Sequence, residues 1–228
     1  MARIAWDEDG KKLYETGTDR GVLYVKTAGA YGNGVPWNGL IGVTESPSGA
    51  EETKLYANNA KYASLRSAEE FGFTIEAYTY PDEWEECDGS ALIALGARAG
   101  QQNRKAFGFT YRTLIGNDED LNDHGYKIHI VYGATASPSE KGYETVNDSP
   151  EAITFSWECD TTPVSVGEDF KPTSLITIDS TDFVTEAQKA KLADLEDLLY
   201  GTDGEGQTAG TQPTLPTPAQ VISTLGSA

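Results

Sequence analysis
Alternating apolar and polar residues indicate that most of the chain folds as β-strands. In the stretch that follows residue 70, Phe73 and Ile75 lie on one strand face, whereas Thr74 and Glu76 lie on the other. The same period of two recurs at 107–112, 126–132 and 153–157, and shorter candidate strands lie at 22–26, 40–44 and 174–178. A strand with one buried and one exposed face produces this pattern. The sequence therefore predicts a mainly β protein with mostly antiparallel strands.

One helix interrupts the strand pattern near residue 190. Asp182 is a candidate N-cap, and Thr185 and Gln188 have the spacing of a capping box. An apolar stripe then recurs at helical spacing, in Leu192, Leu195, Leu198 and Leu199. Gly201 ends the pattern. We expect this helix to pack one face against a sheet.

The distribution of turn-forming residues predicts a β domain at 21–200 between an N-terminal arm, 1–20, and a flexible C-terminal arm, 201–228. Gly, Thr, Gln and Pro dominate 201–218 and predict a flexible linker, and a short helix is expected at 218–225. Inside the domain, the long inter-strand loop 45–69 has little strand alternation beyond Thr53 to Tyr56. Long connections are usually functional or disordered. This loop is either a partner contact or a mobile surface loop.

The charge balance bears on possible partners. The 228 residues include 36 acids and 17 bases, for a formal net charge of −19. Such a surface repels nucleic acid, although acidity alone also serves solubility. Cys87 and Cys159 are too few for a disulfide framework and are expected to be free thiols. The N-terminus lacks the apolar region of a signal peptide, so we expect a protein made in the cytoplasm with no membrane partner.

Residue patterns that would indicate catalysis are largely missing from the sequence. It contains no GxSxG elbow, phosphate loop or HExxH motif, and 29–34 is better explained as a turn. His124 and His129 are five apart in a predicted strand, so they point to opposite faces. We therefore expect no enzyme activity, no cofactor and no metal centre.

Two acidic runs leave alternatives open. Residues 117–123 resemble the start of a calcium loop, but Asp123 and His129 stand where glycine and a bidentate Glu are needed. This run is either an incidental cation site or an acidic hairpin tip. The run at 82–88 contains no base and is a solvated loop, a carboxylate pair or a repulsive surface.

The aromatic residues divide into two groups. Trp157, Tyr126 and Tyr132 fall on the apolar positions of their strands and are predicted core residues. Three other tryptophans fall in predicted loops or arms, where they are candidate anchors for a partner surface: Trp6, Trp37 and Trp84. Aromatic side chains on a β-sandwich can also form a sugar-stacking platform. A carbohydrate- or receptor-binding β-sandwich module is therefore one candidate function.

Several strings, taken in order, resemble the major tail proteins of long-tailed phages that infect Gram-positive bacteria. They are PWNGL at 36–40, SAEEFGFTIEAYTYPDE at 67–83, FGFTYRTLIGN at 107–117, GYKIH at 125–129, YGATASPSEK at 132–141 and DSPEAITFSWE at 148–158. The resemblance covers about residues 20 to 200.

This resemblance implies a tail-tube fold and a role in the virion. The fold would have two packed antiparallel sheets, as a sandwich or barrel, with one flanking α-helix and extended terminal arms. Hexameric rings would join sheets into an inner barrel and stack, with loop 45–69 reaching the next ring through Tyr56, Tyr62 and Leu65. Expected partners are further copies of the chain and the tape-measure, tail-terminator and distal tail proteins. The expected location is the phage tail, assembled in the host cytoplasm.

The same resemblance gives the acidic charge a possible role. Carboxylates that line a tube would repel DNA phosphates, so that DNA passes without specific binding. The candidate DNA-repelling residues are Glu76, Asp82, Glu83, Glu85, Glu86, Asp118 and Asp120.

Overall fold
The computed structural model describes residues 3–146, 148, 151–168, 170–204 and 209–226. The strands, in chain order, are β1 Tyr14–Thr27, β2 Ala30–Tyr31, β3 Val35–Pro36, β4 Leu40–Glu45, β5 Ser48–Gly49, β6 Glu52–Ala57, β7 Ala60–Arg66, β8 Glu69–Glu70, β9 Gly72–Ala77, β10 Ala91–Ala94, β11 Ala97–Ala99, β12 Phe107–Asn117, β13 Leu121–Ala136, β14 Phe155–Thr161 and β15 Leu175–Asp179. The helices are α1 Glu85–Asp88, α2 Glu186–Tyr200 and α3 Pro218–Leu225, with 3-10 turns at Asp82–Trp84 and Ser180–Asp182. Strands hold 44% of the residues and helices 15%, which confirms the predicted mainly β class.

Nine of the strands form one continuous antiparallel sheet. Its order is β2-β1-β12-β13-β14-β9-β4, while β3 pairs with β1 and β15 pairs with β13. Three two-stranded sheets lie outside it, namely β5–β8, β6–β7 and β10–β11. The predicted antiparallel pairing is confirmed, and the sheets are not closed into a barrel. Strand β4 is therefore an edge of the large sheet.

One face of the large sheet covers an aromatic core. Trp37, Trp84 and Trp157 lie together, with ring centroids 4.8 Å apart for Trp37 and Trp84 and 5.4 Å apart for Trp84 and Trp157. Phe73 and Phe107 are also buried there. The prediction of Trp37 and Trp84 as exposed anchors is wrong, because their exposed fractions are only 4% and 0%.

The other face of the sheet packs against α2 and α3. Helix α2 begins after Thr185, whose hydroxyl and Gln188 form the predicted capping box. Asp182 belongs instead to the preceding 3-10 turn, so it is not the N-cap. The buried side chains of this second core come from the sheet, α2 and the C-terminal segment, and include Ile128, Ile130, Tyr132, Leu192, Leu195, Leu199, Leu215 and Val221.

The chain ends are more ordered than the predicted arms. Strand β1 starts at Tyr14, inside the predicted arm 1–20, and pairs with β12. The expected short helix at 218–225 is confirmed as α3. The Tyr132 hydroxyl donates a hydrogen bond of 2.9 Å to the Pro216 carbonyl, which ties this segment to the sheet. The chain thus has a second flanking helix, and only 205–208 of the predicted flexible linker lie outside the described residues.

Candidate assembly surfaces
Residues 45–69, predicted as a long inter-strand loop, contain a β-hairpin with one register shift, between Leu55 and Tyr56. Strands β6 and β7 pair in an antiparallel register that ends at Ala57 and Ala60. The two residues between them, Asn58 and Asn59, have φ values of 50° and 61°. Asparagine tolerates positive φ, and two such residues form the tight turn whose twist matches a hairpin. The long connection between β4 and β9 therefore contains paired strands, which we call the 52–66 hairpin.

The 52–66 hairpin has an apolar face that no other described strand covers. Leu55 pairs with Ala63, and Thr53 pairs with Leu65, so these four side chains share one face. Strands β6 and β7 pair only with each other among the described strands. An isolated two-stranded hairpin is marginally stable in water, so a partner on this face would stabilise it.

The three predicted contact residues all lie on this hairpin, but Tyr56 follows Leu55 along β6 and therefore points away from the face that carries Leu65. The exposed fractions are 69% for Tyr56, 77% for Tyr62 and 57% for Leu65. The hairpin also carries three bases, Lys54, Lys61 and Arg66, and one acid, Glu52. Lys61 Nζ lies 2.7 Å from Glu52 Oε1, so this pair is compensated within the hairpin.

A second exposed apolar surface lies in the segment that follows β9. Hairpin β10–β11 exposes Leu92, Ile93 and Leu95 with exposed fractions of 63%, 70% and 104%. The preceding 3-10 turn carries Asp82 and Glu83, both exposed. These five residues define what we call the 82–95 surface. Of these five residues, only the acids Asp82 and Glu83 were predicted to have a role.

Two buried side chains anchor the 82–95 surface to the aromatic core. Trp84 and Cys87 are both 0% exposed. Burial raises the pKa of the Cys87 thiol to about 12, so this group stays protonated and unreactive at neutral pH. Cys159 is also buried, and the two cysteines are free, as predicted.

The chain segments that carry these two surfaces leave the large sheet at opposite ends of the β4–β9 pair. Leu40 lies opposite Ala77, and Glu45 lies opposite Phe73. The 52–66 hairpin is inserted between the Glu45 and Gly72 ends of these strands, whereas the 82–95 surface follows Ala77. Six strand residues separate the two exits, about 20 Å at roughly 3.4 Å per residue.

Bases that are distant in sequence neutralise most of the acidic run at 82–88. Arg98 forms ion pairs with Glu85 and, at 3.8 Å, with Asp82. Lys105 Nζ lies 2.6 Å from Glu86 Oε2, and Lys141 pairs with Asp88. Glu83 has no ion pair within the described part of the chain. The run is therefore a mostly compensated surface, and its remaining charge is concentrated at the 3-10 turn.

The other candidate DNA-repelling residues lie elsewhere on the sheet. Glu76 is exposed on β9. Asp118 lies at the β12–β13 tip, 3.2 Å from Lys12, and Asp120 lies 3.3 Å from the His124 ring. This tip projects past the Gly72 end of β9, away from the 82–95 surface. The candidates thus form separate groups, and their role in repelling DNA stays a prediction.

The two histidines have different surroundings. The His129 ring is 7% exposed and stacks on Tyr111, with centroids 4.5 Å apart. Its Nε2 atom lies 3.0 Å from the Thr113 hydroxyl. Burial lowers the pKa of His129, and nearby Glu45 partly opposes this shift. Within residues 3–146 and the later described ranges, no three His, Cys, Asp or Glu side chains gather as a metal site.

The four tryptophans do not form an exposed platform on which sugars could stack. Among the residues that the structure describes, Trp6 is the exposed tryptophan, at 77%, while the other three are buried. No described helix is long and apolar enough to cross a membrane.

Comparisons with known proteins give only remote similarity, in structure and not in sequence. The sequence matches no protein-family model and no curated protein. Among solved structures, the chain is similar to one chain of the cryo-EM structure of the anti-feeding prophage (AFP) baseplate, determined with 6-fold symmetry. The two are 8% identical with a TM-score of 0.36, over 70% of this chain and 93% of the other.

Proposed function
We propose that this protein is a structural virion protein that polymerises into a phage tail tube. Its copies would form hexameric rings, and the rings would stack into the channel through which DNA passes. The observation that carries this proposal is the 52–66 hairpin, which presents an apolar face to solvent. A hairpin of this kind is expected to be stable only against a partner.

Two further features support assembly. The ordered strings from PWNGL to DSPEAITFSWE resemble major tail proteins over about residues 20 to 200. The large sheet ends at β4, and such an edge strand can pair with a strand of a neighbouring copy. The tape-measure, tail-terminator and distal tail proteins are the other partners that this role requires. The role needs no catalytic activity.

The acidic charge suits a conduit for DNA. Each copy has a net charge of −19, and ion pairs within the chain leave that total unchanged. Glu76 is the best single test among the candidates, because it is exposed on β9 and has no ion pair among the described residues. Glu76→Lys should slow DNA ejection without blocking assembly. Wild-type ejection kinetics in an assembled mutant tail would contradict a repulsive role for this side chain.

Negative-stain electron microscopy over a concentration series tests the proposal directly. Purified protein should form rings or hollow tubes above a critical concentration. A monodisperse monomer at every concentration, with or without phage tail partners, would refute the tail-tube role. A glycan-binding screen would then test the main alternative function, a carbohydrate- or receptor-binding β-sandwich module of the virion.

A further inference from the structure
We propose that Glu45, Tyr111 and His129 form a pH-sensitive latch, which ties the end of β4 to β12 at neutral pH and opens on acidification. The latch is a property of the single chain. Its consequence for assembly rests on the proposed function.

The latch joins two strands that do not pair with each other. Strands β13, β14 and β9 separate β12 from β4 in the order of the large sheet. The Tyr111 hydroxyl nevertheless donates a hydrogen bond of 2.6 Å to Glu45 Oε1. Burial and the nearby Glu45 carboxylate raise the pKa of Tyr111, so its hydroxyl stays protonated and remains a donor. This side-chain contact links the two sides of the aromatic core at this end of the sheet.

The His129 ring supports Tyr111 from the neighbouring strand. The two residues lie opposite each other in the β12–β13 pair, and their rings are parallel within 1°. His129 Nε2 lies 3.0 Å from the Thr113 hydroxyl. The two acceptors that face Nδ1, Glu45 Oε1 and Thr177 Oγ1, both lie 3.5 Å away. A neutral ring, with a hydrogen on one nitrogen only, suits these contacts.

A protonated ring suits this position poorly. Both nitrogens of His129 then carry a hydrogen, and 3.5 Å is too long for a strong hydrogen bond from Nδ1. Burial lowers the pKa of His129 by more than the nearby Glu45 carboxylate raises it. The charged ring is therefore stabilised by moving toward water. That movement breaks the stack on Tyr111 and loosens the contact between Tyr111 and Glu45.

The other charged groups around His129 largely cancel. Glu15 on β1 favours protonation of the ring, and Lys127 on β13 opposes it. These two side chains form an ion pair with each other, and Asp179 on β15 lies opposite Lys127 in register. Glu45 on β4 is the carboxylate that faces the ring directly. Burial of the ring and the Glu45 carboxylate thus set the response to pH.

The latch lies where the chain leaves the large sheet toward the 52–66 hairpin. Glu45 is the last residue of β4, and the Ser46 amide donates a hydrogen bond of 2.8 Å to the Gly72 carbonyl. Ser48 pairs with Glu70 just beyond it. Opening of the latch removes the side-chain tie at this base and makes the base more mobile. In the proposed tube, a more mobile hairpin would weaken contacts between copies at low pH.

Hydrogen exchange measured by mass spectrometry tests the latch in dilute, unassembled protein. Wild type is compared at about pH 7.5 and about pH 5.5, on either side of the ordinary histidine pKa of about 6.5, with exchange times scaled for the intrinsic effect of pH. Amides of 42–46 and 72–75 should exchange at least about tenfold faster at the lower pH, as expected when a hydrogen bond to a charged group is lost. Amides of α2, on the opposite face of the sheet, should change little, which separates local opening from global unfolding.

Three variants assign the response to the latch. His129→Gln cannot take up a proton at this position and should keep exchange slow at both pH values. Tyr111→Phe lacks the hydroxyl that binds Glu45 and should exchange fast at both. His124→Gln is the matched control and should respond like wild type. It also leaves His129 as the single histidine, so its imidazole resonance in NMR reports protonation of His129 alone. This titration keeps the test valid even where His129→Gln fails to fold, which circular dichroism shows.

The outcomes separate the latch from the proposed function. Equal or slower scaled exchange of wild type at the lower pH overturns the latch. It is also overturned if folded His129→Gln keeps the wild-type response, or if exchange accelerates outside the pH range in which His129 titrates. If tubes form but these tests fail, the tail-tube role stands without this regulation. If wild type forms no tubes, the proposed function fails, and the exchange data alone decide the latch.

Discussion
The three-tryptophan core gives a sharp test of the packing, because two of its members differ in one hydrogen bond. The Trp37 indole nitrogen donates to the Thr79 carbonyl at 2.9 Å. The Trp84 indole nitrogen is buried without a partner in the described part of the chain. Replacing either tryptophan with phenylalanine removes a similar ring volume from the same cluster. The difference between Trp37→Phe and Trp84→Phe therefore reports mainly on the polar atom.

The expected difference follows from the two environments. Trp37→Phe loses a hydrogen bond with a net contribution of about 0.5–1.5 kcal/mol. Trp84→Phe removes a buried, unsatisfied donor, which relieves a desolvation cost of about 1–3 kcal/mol. Both terms make Trp37→Phe the more destabilising change. We expect it to lower the free energy of unfolding by about 2 kcal/mol more than Trp84→Phe does.

Equilibrium urea unfolding measures this difference. With an m-value of about 2 kcal/mol per M, the midpoints of the two variants should differ by roughly 1 M. Protein concentration must be low and constant, because assembly adds stability that depends on concentration. Equal midpoints, or a lower midpoint for Trp84→Phe, would refute the assignment of hydrogen bonding in this core.

Two further predictions concern the sheet. Gly133→Ala should destabilise the fold by more than about 2 kcal/mol in urea unfolding, because Gly133 has φ of 63° and a Cβ atom there would lie 2.3 Å from a backbone carbonyl oxygen. Gly42→Ala, with nothing within 4 Å of its added Cβ, is the control and should change stability little. His129 has a folded-state pKa below its unfolded value of about 6.5, so it favours folding above that pH and opposes it as the pH falls below. His129→Gln should therefore flatten the loss of stability below about pH 6.5, and an equal flattening by His124→Gln would contradict an origin in burial of His129.

Sequence patterns predicted the strands that bury one face. The alternation after residue 70 became β9, where Phe73 and Ile75 are buried and Glu76 is exposed. Neither face of the 52–66 hairpin is buried in one copy, so apolar and polar positions alternate only weakly along it. This pattern therefore did not predict the full length of its strands. Its clearest signal was Asn58-Asn59, a pair suited to a tight turn.

The features that the sequence patterns did not predict depend on contacts between distant parts of the chain. Trp84 stands among four acidic residues in 82–86, so its neighbours predict exposure, yet tertiary packing buries it. The acidic run itself has no base within it. Its cations come from Arg98, Lys105 and Lys141, which only the folded chain brings near. Local composition cannot show such pairs.

The 52–66 hairpin and the 82–95 surface differ in how firmly the fold holds them, and this difference bears on how the proposed assembly could be controlled. The 82–95 surface is fixed to the aromatic core by Trp84 and Cys87, both fully buried. The 52–66 hairpin has no buried side chain and is held by its own strand pairing and by the pairing of β5 with β8 at its base. A partner that covers the hairpin must therefore order it, and that entropy cost lowers the affinity between free copies. Several hairpins engaging at once, as in the proposed rings, would offset this cost through avidity, so the same weak contact can keep free copies apart and still hold stacked rings together.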